Sequence, residues 1–141
     1  MENSLMRLIE PEVHLWGTEF SPKELSKIEN IEFRSSTELG KIMTRGRYKG
    51  KQSPYGSCQL LVPKYVDLKD SIFWMAEFIF VNKPKFEEAG ATDISMWIYW
   101  QGIQGNMAFT PKEIKMISKL NVNLCIDYTQ IDTEEYNKLN E

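Results

Sequence analysis

The chain has little of what most catalytic centres are made from. Its 141 residues include one histidine, His14, and two cysteines, Cys58 and Cys125, far apart in sequence. A structural zinc site wants four nitrogen or sulfur ligands at short spacing, so that class is excluded and no metal or other cofactor is expected. A catalytic histidine needs a nucleophile or an orienting partner, and none is evident beside His14 in the sequence. The carboxylate pairs Glu87–Glu88 and Glu134–Glu135 are adjacent, point in different directions on a helix, and read as solvated. Asp67 and Asp70 sit at a helix start, where the macrodipole favours negative charge. Long apolar runs are missing too. The longest, IFWMAEFIFV at 72–81, contains Glu77, and a membrane span needs roughly 18 apolar residues. The opening MENSLMRLIEPEV is interrupted by Arg7 and Glu10 and does not read as a signal peptide. Two isolated thiols fit a reducing compartment. The expectation is a cytoplasmic protein that is not an enzyme.

An excess of positive charge is also lacking. Net charge is −3 and the pI about 5.3, whereas dedicated nucleic-acid binders are usually basic. This balance suits a basic protein partner. What the chain does have is ordinary globular composition, 42% hydrophobic and 26% charged, with four tryptophans whose positions matter below. Its mass of 16.5 kDa fits one domain over residues 1–141.

FSPKELSKI at 20–28 and FTPKEIKMI at 109–117 are nearly the same nine letters. Ser21 and Thr110 are good N-caps, Pro22 and Pro111 occupy the first helical position, and Glu24 and Glu113 complete capping boxes. Leu25 and Ile28 give the first helix an apolar stripe, and Ile114, Ile117 and Leu120 the second. Alternating segments flank both. EVHLWGTEF and IEFRSS surround the first, and GNMAF and NVNLCIDYT the second, with Val122, Leu124, Ile126 and Tyr128 on one face. The repeat is either an old duplication or convergent use of a good helix start. Between the copies lie a glycine-rich basic loop at 40–56, a strand at 57–62 and a main helix at 66–81. Pro84 should break or kink that helix, and Gly90 should close it. The strongest strand, TDISMWIYWQ, follows. A polar, acidic tail covers 131–141 and reads as a frayed helix or as disordered.

The order is β-α-β-β-α-β-β-α-β. It predicts an α+β two-layer sandwich, a largely antiparallel mixed sheet with helices on one face. The first six elements have ferredoxin-like order, followed by an extra strand-helix-strand. The uncovered face should carry His14, Trp16, Glu32, Arg34, Gln59, Leu61, Trp97, Tyr99, Cys125 and Asp127. Most of these suit a wet face. Trp16, Trp97 and Tyr99, with Asp127 nearby, have the composition of a protein-binding hot spot. The plainer alternative is that the loop or tail folds back over them as a second small core. The loop KIMTRGRYKGK carries Arg45, Arg47, Lys49 and Lys51 with Tyr48 and no acid. It reads as a flexible solvated loop, or else as a single-stranded nucleic-acid contact or a site for an acidic protein patch. Its glycines do not match a phosphate-binding pattern.

VHLWGTEFSPKELSKI at the front, and GNMAFTPKEIKMISKLNVNLCIDY near the end, resemble the opening and closing segments of the bacterial domain-of-unknown-function family 4279. The likeness covers residues 12 to about 130, including the kinked central helix. GSCQLLV departs from it, lacking the tryptophan that the family tends to carry after the basic loop. Members of such small families occur as immunity proteins. The resemblance therefore implies a small protein-binding domain that neutralises a bacterial toxin by direct binding. The alternative is a nucleic-acid-associated protein using the 41–51 loop. Neither the partner's identity nor the oligomeric state is legible in the sequence.

Overall fold

In the computed structural model, which describes residues 6–139, the alternating segments form one five-stranded sheet. The strands are β1 (Met6–Gly17), β2 (Phe33–Thr37), β3 (Gly56–Leu61), β4 (Asp93–Gly102) and β5 (Asn123–Gln130). They lie in the order β2-β3-β1-β4-β5. The first four pair antiparallel in the ferredoxin-like arrangement, and β5 adds parallel to β4. The α+β architecture therefore stands as expected, with the additional strand at one edge.

The helices are α1 (Ser71–Glu88), α2 (Pro111–Ser118) and α3 (Thr133–Leu139). α1 packs on β1, and α2 packs on α1. The core between these layers takes the alternate residues of the strands: Val13 and Leu15, Cys58 and Leu60, Ile94, Met96 and Ile98. Met75, Ile79 and Phe86 of α1 close it from above. Cys58 belongs to this core, and burial pushes its thiol up to about 12. Cys125 lies on the other face of the sheet, beside Trp97, so the two thiols have no route to a disulfide.

Several local expectations are corrected. The repeated nonapeptide does not give repeated structure. At the second copy, Thr110 accepts from the Glu113 N–H at 3.1 Å and Glu113 accepts from the Thr110 N–H at 2.7 Å, a complete capping box. At the first copy, Pro22–Lys27 is a 3-10 helix and Ser21 makes no cap. The Glu38 carboxylate, arriving from the end of β2, accepts instead from the Ser21 hydroxyl at 3.2 Å and the Lys23 N–H at 3.0 Å. A distant acid thus does what the local box would have done. GNMAF is not a strand; residues 105–110 are irregular coil between a bend and α2.

The main helix starts at Ser71, after a 3-10 turn at Leu68–Asp70, and runs through Pro84 without ending there. Gly90, at φ 103°, then closes it. Its N–H donates to Glu87 O at 3.0 Å and the Ala91 N–H to Phe86 O at 3.0 Å, the paired bonds of a Schellman cap. A Cβ on Gly90 would lie 2.3 Å from the Glu19 carbonyl, so the helix end and the β1 turn meet backbone to backbone. The tail is neither frayed from its start nor wholly polar: Ile131 is buried and α3 follows it. Asn140 and Glu141 lie outside the described residues.

Candidate functional site

Among the described residues, the helix–sheet packing is that of α1 on the core side, and the sheet's second face carries the outward-pointing side chains of the strands. Period-two alternation along β1 turns Glu12, His14 and Trp16 outward, and along β4 it turns Asp93, Ser95, Trp97 and Tyr99 the same way. Register completes the face. Glu12 lies opposite Trp97, His14 opposite both Ser95 and Gln59, and Tyr99 between Glu10 and Asp127. All four sequence-predicted partner-binding residues, Trp16, Trp97, Tyr99 and Asp127, are therefore brought to this one surface.

The aromatic rings stand on the sheet face against face. His14 and Trp97 stack with centroids 4.9 Å apart and planes 17° from parallel, and Trp97 stacks on Tyr99 at 6.0 Å and 19°. The Trp97 indole N–H donates to Ser95 Oγ at 2.9 Å, so its polar atom is satisfied without a partner molecule. On the other side of His14, Trp16 is 39% exposed and touches Tyr55 at 5.6 Å. Tyr55 contacts Tyr48 edge-on, and the Arg47 guanidinium lies 5.7 Å from the Tyr48 ring. A depression of about 340 Å³, lined by His14, Trp16, Asp93, Ser95 and Trp97, opens between the two indoles.

Beneath the rings is a group that the sequence reading did not single out. Glu12 is fully buried on a face otherwise open to water. Its carboxylate is bonded to Arg34 and lies 3.0 Å from His14 Nε2. A carboxylate only accepts, so the His14 proton belongs on Nε2, and the Tyr99 phenol oxygen lies 3.3 Å from the same nitrogen. Arg34 reaches Glu12 because β2 bulges between Phe33 and Ser35, which re-aims the extra side chain. The signal was present in the sequence: Glu12 and His14 are two apart on one strand, hence on one face. The orienting partner that seemed missing for His14 sits there. Burial, then the nearby Glu12 charge, raises the pKa of Glu10, and the same two causes raise Tyr99. The side chains of Glu12, Arg34, His14 and Tyr99 thus form one connected group, with Glu12 bonded to Arg34 and His14, and the His14 Nε2 within reach of Tyr99.

The basic loop is not the loose segment expected. Its arms pair through Gly40 N–H to Ser53 O, Ser53 N–H to Lys41 O, Met43 N–H to Lys51 O and Gly50 N–H to Met43 O, all at 2.7–2.9 Å. It is a short twisted hairpin tied to the sheet by Tyr48 and Tyr55. Arg45, Arg47, Lys49 and Lys51 are exposed on it, and none is in an ion pair among the described residues. The hairpin borders the aromatic face and does not bury it, since Trp16 stays open to solvent.

Among the described residues no three His, Cys, Asp or Glu side chains converge as a metal-ligand set, and no helix is long and apolar enough to cross a membrane. Comparison with protein-family models, with curated proteins and with solved structures finds no match.

Proposed function

We propose that this chain is a protein-binding module that docks its partner on the outer sheet face, at Trp16, Trp97, Tyr99 and Asp127. The partner in this proposal is a bacterial toxin domain that the chain neutralises by occupying it, the role implied by the family resemblance. One observation carries the docking reading: His14, Trp97 and Tyr99 form one compact ring cluster, each ring against the other two, with the Trp97 N–H already satisfied and the buried Glu12 carboxylate held by His14 and the half-exposed Arg34. Large aromatic side chains held in one conformation lose little entropy on binding, which is what a hot spot requires. The depression between Trp16 and Trp97 offers a place for a partner side chain. The test is co-expression with the protein captured from the host. Support requires that this protein be toxic alone, and harmless when wild-type chain is co-expressed. A captured protein whose toxicity is untouched by the chain would overturn the neutralising role.

The exposed cations of the 41–51 hairpin favour a second reading, contact with single-stranded nucleic acid. Dedicated nucleic-acid binders are usually basic, and this chain carries a net charge of −3. That charge balance is why protein docking ranks first. Binding of labelled single strands that weakens steeply with salt would support the nucleic-acid reading, and no binding at low salt would remove it.

A further inference from the structure

The two edges of the sheet are built differently. β2 is five residues long, bulges at Arg34 and spends that charge on Glu12. Shortness, a bulge and a charge are what keep an edge from pairing with another chain. β5 has neither the shortness nor the bulge. It runs eight residues, pairs with β4 along its whole length without a register shift, and contains one charge, Asp127, and no proline or lysine. No strand pairs with its outer edge among the described residues. Its helix-side residues are apolar but remain open: Leu124 is 40% exposed, Ile126 44% and Tyr128 38%. Leu124 and Ile126 share the helix side with the buried Met96 and Ile98, yet all three residues lie outside the core. They lie outside it because α2 packs on α1 and not across β5, which also leaves Ile114 exposed.

We infer that β5 pairs antiparallel with β5 of a second copy, joining the two sheets into one across a two-fold axis at Ile126. An open edge of this kind is complementary to a strand, and antiparallel self-pairing is the isologous contact that closes at two copies. Register follows from the pleat. Opposed residues must share a face, so Leu124 meets Tyr128 of the second copy, Ile126 meets Ile126, and Cys125 meets Asp127. An axis at Asp127 would oppose two like charges. An axis at Cys125 would carry Tyr128 beyond the second strand's first residue, Asn123. Pairing at Ile126 places all three apolar residues of each copy against each other, and sets the two outer faces side by side on one surface.

Sedimentation velocity on the full chain tests this, at up to about 0.1 mM, where a dimer of micromolar Kd is almost fully formed. The expected result is a dimer for the native protein and a monomer with an unchanged circular-dichroism spectrum for Ile126→Lys. A native monomer at that concentration would overturn the inference, as would an Ile126→Lys dimer. If Ile126→Lys does not fold, Ile126→Cys in a Cys125→Ser background decides the matter. The remaining thiol, Cys58, is buried, so a short bismaleimide should yield covalent dimer through position 126, and its absence would overturn the proposal.

Discussion

Replacing Arg34 with alanine should destabilise the protein by about 2 kcal/mol, because it leaves the Glu12 carboxylate buried with His14 as its remaining partner. The magnitude comes from two limits. Breaking a buried ion pair by removing one member costs about 3–5 kcal/mol when the stranded charge is sealed off. Losing one hydrogen bond to a charged group costs about 1.5–3 kcal/mol. Glu12 is sealed, with none of its side chain exposed, but the Arg34 side chain is 50% exposed. Water can therefore enter where the guanidinium was, and the lower range applies. Replacing both residues, as Glu12→Gln with Arg34→Ala, removes the stranded charge and should recover more than half of the loss. Urea denaturation at neutral pH, followed by tryptophan fluorescence, measures both variants, and equal m-values would confirm that the same transition is compared. An Arg34→Ala variant within about 0.5 kcal/mol of wild type, the range typical of plain surface substitutions, would refute the view that this pair supports the aromatic face.

Other consequences follow from the local structure. Thr110→Ala removes one half of the α2 capping box and should cost about 1 kcal/mol, whereas Ser21→Ala at the equivalent letter should cost less, since Ser21 caps nothing; paired urea melts decide it. Gly90→Ala forces a side chain into φ 103° and against the Glu19 carbonyl; a loss of about 2 kcal/mol or more is expected, read as a lowered urea midpoint. Glu10 is protonated more readily folded than unfolded, so the folded state binds more protons and stability falls as pH rises from the ordinary carboxylate value through the raised one. Glu10→Gln should flatten that slope in thermal melts at pH values stepped upward from the ordinary carboxylate range.

The sheet was readable from sequence because its signal is period two, and period two assigns faces as well as strands. Trp16, Trp97, Tyr99 and Asp127 fell on one surface for that reason alone. Where the local pattern did not settle the outcome, tertiary partners decided it. FSPKEL and FTPKEI carry the same capping letters, but Glu38 reaches the first and not the second. Leu124, Ile126 and Tyr128 have a core-like pattern, and whether a helix lies over them depends on where α2 packs. The buried Glu12 was legible as a position and not as an ion pair, because its partner arrives through a bulge in a strand two places away in the sheet. Bulges leave little trace in composition.

The measurement that bears most directly on the docking face is the affinity of a captured partner for wild-type chain and for Trp97→Ala, side by side, with circular dichroism on both. The account predicts one stoichiometric partner on the wild type and a loss on the order of 2 kcal/mol, roughly thirtyfold in Kd, for the folded variant. Undiminished affinity in a folded Trp97→Ala chain, or a wild-type bait that retains no stoichiometric partner, would contradict it.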